Sequence, residues 1–173
     1  MNGDSTNDQY LSGWRRLAFG RNPRFTLVRL VATILLFLLL FTVVFIPVRV
    51  TGISMLPTYH DGQLNLVNKL SYRRRTPQRG DVVAIRITGE RALLLKRVIG
   101  LPGENVVFRK GVVEINGLRL AEPYLKLTPA PWDESFEIGS DEYLVVGDNR
   151  TMPAGFHTHR IVELWQIAGK AVF

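Results

Sequence analysis

The chain has 173 residues and a formal charge of +7, from 22 Lys and Arg against 15 Asp and Glu. It holds no cysteine, which excludes disulfides and thiolate metal sites and fits an extracytoplasmic location without requiring one. The length suits one modest domain plus an anchor, and the charge, +3 ahead of the long apolar run and +4 after it, is too evenly divided to call for nucleic acid.

Residues 1–29 read as a basic cytoplasmic segment whose first 13 residues, rich in Asn, Asp, Ser and Gly, carry too little apolar surface to fold. Residues 30–48 then run 19 positions without a charge. At about 1.5 Å per residue that is roughly 28 Å of helix, close to the hydrocarbon thickness of a bilayer, so a transmembrane helix is predicted. A cleavable secretory signal has a shorter apolar region, a shorter leader and small residues behind it, whereas Ile46-Pro47-Val48-Arg49-Val50 follows here, which predicts retention. Arg15, Arg16, Arg21, Arg24 and Arg29 precede the run against only Asp4 and Asp8. That bias places the amino terminus in the cytoplasm and residues 49–173 outside a cell (inner) membrane crossed once. The basic cluster Tyr72-Arg73-Arg74-Arg75 reads as a solvated face or a contact with lipid headgroups.

Beyond the anchor the chain reads as mostly β, short strands between turn residues. Strands are predicted at 81–87 and 91–99 around Thr88-Gly89-Glu90, then at 105–108, 112–116 and 118–120, the last two parted by the hairpin signal Asn116-Gly117. Pro123, Pro129 and Pro131 mark an irregular stretch, and strands at 136–138 and 142–146 lead into Gly147-Asp148-Asn149-Arg150. On its strand Lys96 shares a face with Leu94 and Val98, and Arg97 is expected to point the other way, to solvent.

Two residues in apolar surroundings suggest chemistry. Ser54 stands in Gly52-Ile53-Ser54-Met55-Leu56-Pro57-Thr58 just past the membrane run, and Lys96 in Leu93-Leu94-Leu95-Lys96-Arg97-Val98-Ile99-Gly100. A lysine with a pKa near 10.4 is only about 0.1 percent neutral at pH 7.4, so it serves as a base only if burial lowers that value, to about 8 at a cost of roughly 3 kcal/mol to the ammonium. A neutral Lys96 amine beside Ser54 would take the hydroxyl proton as the oxygen attacks a peptide carbonyl and return it to the leaving amine, with no metal and no cofactor. Taken singly, such a serine is a turn former and such a lysine a surface residue; their joint context favours the pair.

Several motifs in series resemble those of the bacterial signal peptidase I family, membrane-bound serine endopeptidases. Gly52 to Thr58 resembles its nucleophile box, Arg79-Gly80-Asp81-Val82-Val83 the next strand box, Lys96 to Glu104 its lysine box and Gly147 to Arg150 the start of its last box. The resemblance implies a compact barrel-like β domain with a hydrophobic surface against the membrane, Ser54 as nucleophile, Lys96 as general base and signal-peptide-bearing preproteins as substrates. It also implies that Val50, Met55 and Leu95 line the sites for small side chains flanking the scissile bond. The backbone N–H of Ser54 would serve the oxyanion, with Gly52 at the position where some members place a second donor. Only 42 residues separate Glu104 from Gly147, which implies the form without a large inserted domain.

The chain departs from the family after Arg150. On a gapless match Pro153, Gly155 and His157 stand where a serine, an aspartate and an arginine usually support the lysine. Thr151, Thr158 and His157 are the polar candidates for that role, and Asp148 with Arg150 is expected to form a structural ion pair. His157 and His159 make a weak metal motif, and His60 reads as a polar surface residue. His157 as the base of Ser54 would leave the lysine box unexplained. The remaining rivals are a maturation peptidase dedicated to one exported substrate and an inactive, membrane-anchored peptide-binding module.

Overall fold

The computed structural model describes residues 23–87, 89, 92–152 and 159–172. The chain divides between Val43 and Val44 into two units. The first holds nearly all of helix α1, Pro23–Val44. Proline at its first position suits a site whose N–H would have no helical partner. Its apolar side chains are exposed all round, as Leu27, Ile34, Phe37 and Leu40 illustrate. A helix apolar on every side needs an apolar surround, and this is the one helix among the described residues long and apolar enough to cross a membrane.

The helix stops four residues short of the predicted end. Phe45–Arg49 is strand β1, paired antiparallel with β2, Leu64–Asn68. Pro47 disfavours the helical conformation in Ile46 and cannot donate to position 43, while an edge strand tolerates it. β1 is such an edge.

The second unit is mostly β, as predicted. Its remaining strands are β3 Val82–Arg86, β4 Leu93–Gly100, β5 Asn105–Arg109, β6 Val112–Ile115, β7 Leu118–Arg119, β8 Glu134–Glu137, β9 Glu142–Val146, β10 Arg160–Glu163 and β11 Ile167–Ala171. One antiparallel sheet has the order β1-β2-β11-β3-β4-β9-β10 and a second the order β7-β6-β5-β8. The second sheet forms within the stretch between β4 and β9, so it is the meander that the Asn116-Gly117 turn predicts, extended by β8.

Three apolar clusters fill this unit. Val50, Met55, Tyr59, Val67, Ala84 and Leu95 make one; Val83, Ile85, Val98, Tyr143, Val145 and Val162 a second. The third, around Phe108, Trp132, Ile99 and Leu144, joins the two sheets. β4 contributes to all three because it lies inside the large sheet between β3 and β9, and its last six residues, Leu95 to Gly100, are buried. A lysine on such a strand has no route to water along the sheet.

Candidate active site

The loop that carries Ser54 is closed by backbone bonds at its base, Val50 N–H to Gln63 O and Gly62 N–H to Val50 O, both 2.8 Å. Gly52 has φ +87°, which a side chain would resist, and its N–H donates to Asp61 Oδ1 at 2.8 Å. That N–H is therefore already engaged inside the loop. Tight turns follow, Leu56 N–H to Ile53 O and Tyr59 N–H to Met55 O, with Met55 buried as the loop's apolar plug and Ser54 half-buried above it.

Lys96 is 1% exposed. It lies opposite Val83 of β3, on the face that Val98 shares, as strand alternation predicts. Burial is the first cause that lowers its pKa, to about 8; the positive charge of Arg160 on β10 adds to the fall and the negative charge of Asp148 opposes it. Arg160 and Val98 both pair with Val145, so the guanidinium belongs to the same face of the sheet as the amine.

The segment after β9 draws these parts together. Asn149 donates its backbone N–H to Ser54 O at 2.9 Å and its side-chain amide to Ile53 O at 3.0 Å. Gly147 is so close that a Cβ there would run into Ser54 O and lie 3.3 Å from Lys96 Nζ. Only glycine lets the Ser54 loop, the lysine amine and this turn occupy one place. Asp148, 2% exposed, accepts from Thr58 Oγ1 at 2.5 Å and from both Nε and Nη2 of Arg97, at 2.8 and 2.6 Å.

Two expectations are corrected by that network. Arg97 does not reach solvent: it is 9% exposed, pairs with Asp148, donates to Gly80 O and lies 4.0 Å from the Tyr124 ring centroid. That face of β4 is covered there by Asp148 and by Tyr124 of the proline-marked stretch, which alternation on one strand does not reveal. Nor do Asp148 and Arg150 pair with each other, since Arg150 binds Glu122 at 2.7 Å and is itself buried. Arg97, Asp148 and Arg150 each have a charged partner from a distant element, which offsets the cost of removing them from water.

Val50, Met55 and Leu95 fall in one cluster, and a cavity of about 60 Å³ beside Ser54 is lined by them with Val48, Leu93 and Leu94. Thr151 donates to Asn149 Oδ1 at 2.7 Å and so braces the residue that holds Ser54. His60 is exposed. His159 lies 3.3 Å from Glu134 and stacks on Trp132, in the second sheet's surroundings. Pro153, Gly155, His157 and Thr158 lie outside the described residues. Thr58, Asn149 and Arg160 are the site's neighbours that sequence reasoning passed over; the polar residues of Gly147-Asp148-Asn149-Arg150 were the available signal for Asn149.

Residues 24–173 match the family described as signal peptidase, peptidase S26, and the chain belongs to that family. It is 36% identical over 141 residues to signal peptidase I V of Bacillus subtilis (strain 168), covering 73% of this chain and 83% of that one. To signal peptidase I of Bacillus caldolyticus it is 34% identical over 167 residues, 88% of each. To probable signal peptidase I-2 of Synechocystis it is 35% identical over 124 residues, which span 68% of this chain and 57% of the other. A crystal structure of a signal peptidase I from Enterococcus faecalis V583 is similar at 27% identity with a TM-score of 0.44, over 56% of this chain and 97% of that one.

Proposed function

We propose that this chain removes signal peptides from exported preproteins by acyl-enzyme chemistry, with Ser54 as nucleophile and Lys96 as general base. Membership of a serine endopeptidase family supports the reaction class. The observation that carries the residue assignment is the buried Lys96 amine, with its pKa brought down to about 8, converging with the Ser54 segment on Gly147. At that pKa roughly a fifth of the amine is neutral at pH 7.4, against about 0.1 percent for an exposed lysine.

The neutral amine takes the Ser54 hydroxyl proton as Oγ attacks the scissile carbonyl. The Ser54 N–H faces the tetrahedral oxygen, and the second donor is not Gly52, whose N–H Asp61 holds. Collapse breaks the C–N bond; the lysine proton goes to the leaving amine, which is the new amino terminus of the mature protein. Lys96 then draws a proton from the water that attacks the ester and gives it to Ser54 Oγ as the Oγ–C bond breaks, which frees the signal peptide and restores the serine. Val50, Met55 and Leu95, which line the cavity beside Ser54, receive the side chains that flank the scissile bond.

α1 anchors the chain in the membrane, with residues 1–29 cytoplasmic and the β unit outside, where it meets preproteins at the bilayer surface. A preprotein cleavage assay with the full chain tests the dyad: Ser54→Ala and Lys96→Met each abolish processing, and processing by either variant at the wild-type rate excludes its residue from the chemistry. Protection of the β unit from protease added to the cytoplasmic side tests the orientation.

A further inference from the structure

Lys69, Arg73, Arg74 and Arg75 fall within seven residues that contain no acid. Arg73, Arg74 and Arg75 are exposed, and no described carboxylate forms an ion pair with them. The catalytic proposal uses none of these residues.

The loop that carries them is fixed in shape. Leu70 N–H donates to Asn68 Oδ1 at 2.8 Å, Arg73 N–H to Leu70 O, and Arg75 Nε to Ser71 O at 3.0 Å. Tyr72 packs on the Val83 cluster and donates its hydroxyl to Asp81 at 2.9 Å. Asp81 is held in turn by Lys170 Nζ at 2.5 Å and by Gln78 N–H. The arginines are thus displayed by a loop whose ordering entropy folding has already met, which a merely solvated charge run does not need.

Its place in the chain indicates the partner. β2 ends at Asn68 opposite Phe45, and the next residue, Lys69, donates its N–H to Val44 O at 2.9 Å. Val44 is the last residue of α1, so the basic loop starts where the apolar helix ends. Arg75 is six residues further on, within roughly 20 Å even if the chain were extended, and the turns shorten that reach. The polar layer on each side of a bilayer is about 5–8 Å deep, and an anionic surface attracts basic groups over a further Debye length of about 8 Å.

We propose that Arg73, Arg74 and Arg75 dock on anionic phospholipid headgroups of the leaflet at which α1 ends. The inference rests on reading α1 as a bilayer span.

The cysteine-free chain permits a clean probe. Thr76→Cys, exposed beside the three arginines, carries a spin label in the full chain reconstituted into phosphatidylcholine vesicles with and without phosphatidylglycerol, each with a trace of nickel-chelating headgroup lipid. Docking predicts strong nickel relaxation of this label with phosphatidylglycerol, weakened by high salt, and weak relaxation of a label at Leu118→Cys on the second sheet. Replacing the three arginines by glutamine lowers the ratio of docked to undocked loop by roughly fivefold per charge, on the order of a hundredfold in all, and replacing them by lysine preserves it. Equal relaxation in both vesicle types, or a glutamine variant like wild type, overturns docking while leaving the span intact. A label remote from the headgroups combined with arginine-dependent KM for preproteins would assign the loop to substrate instead and equally overturn it. Extraction of the chain by alkaline carbonate would refute the span, and the inference with it.

Discussion

At the scale of single residues, the proposed chemistry depends on a lysine that is costly to bury. Its pKa, lowered from 10.5 to about 8 by burial, makes kcat/KM rise with pH through a limb near pH 8, which a pH profile of preprotein cleavage checks. The same shift has a sign for stability. Between about pH 8 and 10.5 the unfolded chain binds the proton that the folded chain has lost, so stability grows as pH rises through that window and is lowest below it. Lys96→Met therefore melts higher than wild type at neutral pH, by at most about 3 kcal/mol, and loses this dependence; calorimetry from pH 7 to 10.5 reads both. Arg160→Gln removes the cation that helps to lower the pKa, so the kinetic limb moves to higher pH, by less than about one pH unit because the guanidinium is exposed and screened. Arg160→Lys keeps the limb in place.

At the scale of elements, the turn after β9 is the joint between the proposed nucleophile and its proposed base. Gly147→Ala sets a methyl group against Ser54 O and Lys96 Nζ, and since a misplacement of about 1 Å can cost a hundredfold, turnover falls by about that factor or more in the same cleavage assay while circular dichroism stays native. Asp148→Ala leaves Arg97 buried without its carboxylate and lowers stability by about 3–5 kcal/mol in denaturant titration. Much of this joint was legible beforehand. Lys96 was placed on an apolar strand and on its correct face from alternation alone, and β9 was read with the bounds it has, because both lie in runs whose period and hydrocarbon content agree. Arg97 was misread because its partner is 51 residues away and no local pattern announces it. β1 was hidden in the helix because an unbroken apolar run carries no periodicity to separate the two, and Pro47 was the unused signal. β11 was missed because Gly169 and Lys170 interrupt its pattern, though Lys170 is what Asp81 binds.

At the scale of the whole molecule, an apolar helix and a β-rich unit with a buried amine suit a reaction carried out where exported chains leave the membrane. Family membership fixes the class of the reaction, and the buried network holds the Ser54 loop in place through Asn149, braced by Thr151, and through Thr58 on Asp148. Because nothing in this scheme calls on a metal, processing by the full chain in vesicles continues at an unchanged rate after chelation, and a loss on chelation restored by a divalent cation would refute it.

The most direct test of the account is to titrate the Lys96 amine itself. In the detergent-solubilised full chain, reductive methylation with carbon-13 and comparison with Lys96→Met isolates one resonance, whose midpoint is predicted near pH 8 and coincident with the limb of kcat/KM. A Lys96 amine that stays cationic beyond pH 10 while the enzyme is fully active would contradict the assignment of Lys96 as base.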